Sequence, residues 1–177
     1  MSKSIIILLF GVIFLSNFID SKECKAKSTE KEEIDHALQL PSIECPLQKQ
    51  GINLHDLKPF QEVQKYIEFL ERKDRELWQK PDDVIKELSL KGTEKIADVG
   101  AGSGYFTFRL SKELHKGKVY AIDIEPETIC HIHHKAVLRK IQNIEAIFST
   151  PDNPHIPEDV DLVFICDVLH HLKNKGD

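Results

Sequence analysis

Lys95-Ile96-Ala97-Asp98-Val99-Gly100-Ala101-Gly102-Ser103-Gly104 runs from a short apolar stretch into three alternating glycines. A five-residue run of this kind, ended by glycine, suits a strand buried on both faces. The glycines let the chain turn tightly, and they let a ligand reach the backbone without meeting a Cβ. Phe106, Leu110 and Leu114 then recur at helical spacing until Gly117 closes the segment. A helix starting just past the turn offers unpaired N–H groups and a partial positive charge to an anionic group. Taken alone, such a turn also serves as a plain strand-to-helix connection with no ligand.

Downstream, Lys118-Val119-Tyr120-Ala121-Ile122 reads as a second strand and ends in Asp123-Ile124-Glu125. An acid placed about 20 residues beyond the glycines can accept hydrogen bonds from ribose hydroxyls. Glycines and acid together point to a nucleoside far more narrowly than either does alone. Pro126 opens a helix carrying Ile129, Ile132 and Ala136, Ile144-Glu145-Ala146-Ile147-Phe148 is a third strand, and Val160 to Cys166 a fourth. Upstream, Phe60, Val63, Ile67 and Leu70 follow Pro59 at helical spacing, and Pro81-Asp82-Asp83 starts another helix that stops at Gly92. Strands separated by helices predict right-handed βαβ units: an α/β chain with a parallel sheet and helices on both faces.

The dinucleotide fingerprint G-x-G-x-x-G would need glycine where Tyr105 stands, and no G-K-[ST] follows the glycines, which excludes a Walker-type loop. The chain has instead an acid, Asp98, two residues before G-x-G-x-G. This resembles the class I S-adenosylmethionine-dependent methyltransferases, over about Phe60 to Asp177. The resemblance implies a Rossmann-like sheet of about four strands in the order 3-2-1-4, lacking the C-terminal strands of the full fold and leaving the fourth as an exposed apolar edge. It implies S-adenosylmethionine as cofactor, with Gly100, Gly102 and Gly104 lining its methionyl and ribose part. Asp98 would orient the loop and help hold the amino group, Asp123 would accept from both ribose hydroxyls, and Ile124 would lie against the adenine. Asp152, in the loop Ser149-Thr150-Pro151-Asp152-Asn153-Pro154, is the best match for an acid that meets the adenine amino group; it is equally a turn-forming residue.

Arg72 to Pro81 resembles the segment that covers the methionyl end in some bacterial relatives, while Trp78 within it also reads as a core residue. Methyl transfer asks the protein to align donor and acceptor, with a base needed only when the acceptor carries a proton. His170 and His171, in Asp167-Val168-Leu169-His170-His171-Leu172, follow the fourth strand at the end of the sheet where ligands bind, and either suits that base. Both also read as packing residues. The absence of N-P-P-[YF] here argues against amino-group methylation of DNA bases. His131, His133 and His134 share a helix with Cys130 but lack a second cluster, so they read as solvated surface and no metal site is expected.

At 177 residues, 41% hydrophobic and 30% charged, the chain has globular composition, and a net charge of −5 gives no support for nucleic-acid binding. Lys3 followed by an apolar run from Ile5 to Ile19 has the pattern of a secretory signal and is shorter than a bilayer span. Residues 1–23 therefore read as signal peptide or membrane anchor, 24–58 as polar linker and 59–177 as partial methyltransferase domain. Export or outer-face attachment, through residues 5–19 or Cys24, is the expectation; the alternative is an uncleaved anchor on the cytoplasmic face. Cys24 and Cys45 are a candidate pair in an oxidising compartment. Two functions stand: a methyltransferase with a small-molecule acceptor, and a non-catalytic remnant that binds a nucleoside or a protein.

Overall fold

A computed structural model describes residues 5–9, by their backbone alone, and 45–168. Strand β1 is Ile5–Leu9, followed by helices α1 (Pro46–Lys49), α2 (Phe60–Leu70), α3 (Asp74–Gln79) and α4 (Pro81–Glu87). Strand β2 (Lys95–Val99), helix α5 (Thr107–Glu113), β3 (Lys118–Asp123), α6 (Pro126–Leu138), β4 (Ile144–Phe148) and β5 (Leu162–Cys166) complete the order. Pro81 and Pro126 occupy first helical turns, where the missing N–H costs nothing.

The sheet is parallel throughout, in the order β1-β5-β2-β3-β4. Its last four strands carry the expected 3-2-1-4 arrangement. The fifth was not expected: Ile5–Leu9, part of the apolar leader by sequence, pairs in register with Leu162–Cys166. Among the described residues, β5 is therefore interior to the sheet and not its edge. A run of five aliphatic residues satisfies a strand and a leader equally, which is why pattern alone did not separate them.

Alternation along the strands divides the core between two faces. Ile96, Val119, Leu162 and Phe164 pack with Ile85, Phe106 and Leu110 from the helical layer. Further along the same face, Ala121 and Ala146 meet Phe108, Ile129, Ile132 and Ala136. On the opposite face Ala97, Val99, Tyr120, Ile122 and Ile147 pack with Val160 and Ile156 from the loop before β5. Helices were expected on both faces; among the described residues that second face is met by this loop.

Residues 45–58, read as linker, form a strap on the domain. Cys45 and Leu47 are fully buried among the side chains of α6, with Ile52, Leu54 and Leu57 packed beside them. Cys45 is disulfide-bonded to Cys130 in α6, not to Cys24, which lies outside the described residues. His131 is buried too, against the solvated reading, and burial lowers its pKa to about 3, leaving the ring neutral. No helix of the described residues is long and apolar enough to cross a membrane.

Candidate cofactor site

The C-terminal ends of β2, β3 and β5 open on a cavity of about 400 Å³. Such crevices beyond strand carboxyl ends are where open α/β sheets bind ligands. The floor is the glycine turn. Gly100, Gly102 and Gly104 all have positive φ, at 79°, 56° and 79°, a region where side chains bring Cβ against backbone. The amides of Gly100 and Ala101 both donate to the Ile122 carbonyl, at 2.8 and 3.0 Å, tying the turn to β3.

Asp123 fixes the next corner. Its Oδ2 accepts from the Gly102 N–H at 2.7 Å and its Oδ1 from the Glu125 N–H at 2.9 Å. Burial raises its pKa, opposed by these backbone donors. Gly100, Gly102, Asp123 and Ile124 therefore meet in one cavity. Ile124 is 40% exposed, an apolar surface left open to a ligand.

Three expected members sit elsewhere. Asp98 lies buried beneath the turn, where Oδ2 accepts from the Thr107 hydroxyl at 2.5 Å, and it is not part of the cavity lining. It steadies the start of α5 under the loop. Gly104 is likewise buried, against Phe108 and Ile132. Asp152 is exposed in a tight turn closed by paired backbone hydrogen bonds between Thr150 and Asn153, away from the cavity lining. His170 and His171 lie outside the described residues.

Burial pushes the Asp98 carboxyl up to about 7, with the Thr107 hydrogen bond opposing and the Asp123 charge adding to the rise. The folded chain thus keeps a proton that the unfolded chain releases near 3.8, so stability is lost as pH rises through the interval up to about 7. That interval corresponds to on the order of 4 kcal/mol as an upper bound. In Asp98→Asn this loss disappears while the side-chain oxygen still accepts from Thr107. Urea midpoints across the same interval check it: the variant should gain on the native chain steadily toward neutral pH, and a constant gap would refute the assignment.

The roof comes from α2 and α3, which contribute Tyr66, Phe69, Leu70, Arg75 and Trp78. Trp78 is 47% exposed, so of its two readings the core one fails. Arg75 is the anchor that sequence reasoning missed. Its Nη1 donates to the Leu70 carbonyl at 2.6 Å, and its guanidinium lies 4.1 Å over the Tyr105 ring, which Arg109 also meets at 4.0 Å. Gln79 donates to Cys166 Sγ at 2.9 Å, bringing the end of α3 to the tip of β5. Burial pushes the Cys166 thiol up to about 11, so it is protonated at neutral pH.

Because β3 and β5 flank β2, the Asp123 side and the Arg75–Cys166 side of the cavity lie on opposite sides of the glycine turn. One end presents a carboxylate with unused lone pairs and the other a guanidinium. Between them Ser103, on the cavity wall, has its buried hydroxyl without a partner among the described residues. An elongated ligand with hydroxyl donors at one end and an anion at the other fits this distribution.

A model of the methyltransferase domain family matches residues 97–177. The chain is 32% identical over 127 residues to the release factor glutamine methyltransferase of Dictyoglomus turgidum, covering 67% of this chain and 44% of that protein. A crystal structure of a SAM-dependent methyltransferase from Aquifex aeolicus superposes with a TM-score of 0.57 at 33% identity, over 63% of this chain and 60% of the other. Coclaurine N-methyltransferase, bound to N-methylheliamine and SAH, shares the fold at a TM-score of 0.50 and 17% identity, over 79% of this chain and 45% of its own. The chain thus spans less than half of the curated relative it matches.

Proposed function

We propose that this chain, a member of the class I, Rossmann-like methyltransferases, binds S-adenosylmethionine in the cavity at the tips of β2, β3 and β5 and transfers a methyl group to a small-molecule acceptor. The observation that carries this is the 2.7 Å contact from the Gly102 amide to Asp123, which sets turn and acid side by side on one cavity wall. The residues present fit the cofactor. Asp123 has acceptor capacity for vicinal hydroxyls, Ile124 offers an apolar surface for a flat base, and Arg75 supplies positive charge for a carboxylate. A bound cofactor would give the otherwise partnerless Ser103 hydroxyl a polar contact. When bound, the sulfonium supplies an already activated methyl carbon.

The protein's own contribution is then alignment and exclusion of water. Arg75 holds the roof to Tyr105, and the strap holds its other end. His170 and His171 follow the cavity residue Val168 by two and three positions, and one of them serves as base where the acceptor must lose a proton. With an acceptor in hand, His170→Gln and His171→Gln should lower turnover by about 10² or more for the residue that acts, at unchanged affinity for the demethylated cofactor; full turnover in both removes the role.

Calorimetric titration of the full chain with S-adenosylmethionine and S-adenosylhomocysteine tests the reading. Saturable binding of one ligand per chain is expected, and a folded chain that takes neither refutes it. No observation favours the non-catalytic module. Export or outer-face attachment is supported by the Cys45–Cys130 bridge, since such bonds persist mainly in oxidising compartments. Thiol alkylation of the chain in its native cells decides this: both cysteines should be blocked, and two free thiols would place the chain in a reducing compartment.

A further inference from the structure

We propose that the Cys45–Cys130 disulfide is a redox-released latch on the roof of the cofactor cavity, so that its reduction weakens binding there. The inference rests on the reading of that cavity given above. The bridge closes a separation of 85 residues and fastens the strap to α6. That helix begins directly after Asp123-Ile124-Glu125, the corner of the candidate ribose site. Continuing from Cys45, the strap reaches Lys58 and then α2, which supplies Tyr66, Phe69 and Leu70 to the cavity. Whatever holds the strap therefore sets where the roof begins.

Beyond the bridge and the apolar packing of Leu47, Ile52, Leu54 and Leu57, the strap's polar attachments near the roof are slight. The Lys58 N–H donates to Glu127 Oε1 at 2.7 Å, and its ammonium pairs with Glu125, an ion pair exposed on both sides. Exposed pairs contribute little. Beneath the strap lies a mostly apolar cavity of about 290 Å³ walled by Leu54, Leu57, Val63 and the bridge itself, so packing is incomplete where it would be needed. Glu127 Oε2 and His131 Nε2 are buried at this same place with no partner among the described residues. Unpaired buried polar atoms favour the opened state, in which water reaches them. A covalent bond opposes that tendency.

Cys130 is the sulfur within reach, since it is partly exposed while Cys45 is 1% exposed. A thiolate of a dithiol reductant attacks Cys130 Sγ, the Sγ–Sγ bond breaks, and Cys45 leaves as a thiolate that takes a proton. The reductant's second thiolate then displaces Cys130 and closes the reductant's own disulfide. Two electrons pass to the protein, two protons end on its thiols, and the dithiol is oxidised.

Two readouts on the full chain test this. Affinity for S-adenosylhomocysteine is measured by calorimetry before and after complete reduction with dithiothreitol, confirmed by thiol count. In parallel, tryptic cleavage after Lys49, in the strap, and Lys65, in α2, is followed by mass. Reduction should weaken affinity at least about fivefold and speed both cleavages at unchanged far-ultraviolet circular dichroism. Cys45→Ser with Cys130→Ser should match the reduced chain and ignore dithiothreitol; if that pair fails to fold, the native chain in its two redox states still gives the answer. Unchanged affinity after complete reduction overturns the proposal. A chain that binds no nucleoside in either state but is cleaved faster on reduction supports the latch and overturns the cofactor reading alone; one that binds none and is cleaved equally overturns both.

Discussion

Asp123→Ala should lower affinity for S-adenosylhomocysteine by at least about a hundredfold. Each carboxylate oxygen has about two lone-pair sites. One site on each is occupied by the N–H groups of Gly102 and Glu125, which leaves one on each for a ligand donor. Hydrogen bonds to a charged acceptor contribute about 1.5–3 kcal/mol apiece, and two of them lost exceed the 2.8 kcal/mol that a hundredfold requires. Removing the carboxylate also strips the Gly102 amide of its partner, so some of the loss could come from a loosened turn. A second axis separates the two effects. In the native chain, removing one ribose hydroxyl from the ligand should cost roughly tenfold, and in Asp123→Ala the same removal should cost almost nothing. The coupling in that cycle is the direct contact. If the deoxy penalty survives in the variant, Asp123 acts on the turn only and the ribose lies elsewhere.

The turn, the acid and the strand order were legible because they are local or periodic. Lys95–Val99 announces itself by five residues, and Asp123 by its distance from the glycines along a single βαβ unit. Contacts made at long range left no such trace. Nothing near Cys130, in mid-helix beside three histidines, points to a sulfur 85 positions earlier. Helix α3 has six residues, fewer than two turns, so its sequence carried no dependable period and Trp78 was free to be read as core. Arg75 escaped for a related reason: an arginine whose partners are an aromatic face and a backbone carbonyl looks, in sequence, like any solvated charge. Asp152 shows the converse. A motif position carried over by resemblance landed in a turn whose local chemistry, Thr150 closing on Asn153, already accounts for it.

Gly104→Ala should cost about 3 kcal/mol of stability, the second large effect, whereas Gly102→Ala should cost about 1 kcal/mol and spare the fold. The two differ in what a Cβ would meet. At Gly104 it would sit 2.7 Å from Phe108 Cε2 and 3.2 Å from Ile132 Cγ1. Both belong to the packed layer between α5, α6 and the sheet, where moving the Phe108 ring or Ile132 disturbs the side chains packed against them. Left-handed backbone strain adds to this overlap at φ 79°. At Gly102 the nearest atom is Leu70 Cδ1 at 3.2 Å, the end of a flexible side chain at the edge of the open cavity, so the strain stands nearly alone. Gly102→Ala nevertheless places a methyl group in the wall that the ligand is to touch and pushes Leu70 of the roof. It should therefore weaken nucleoside binding while melting close to the native chain. Thermal midpoints and product affinities of the two variants, taken together, separate a glycine required by packing from one required by a ligand. If Gly102→Ala binds as the native chain does, the cavity wall is not the contact surface, and the glycine there answers only to the turn.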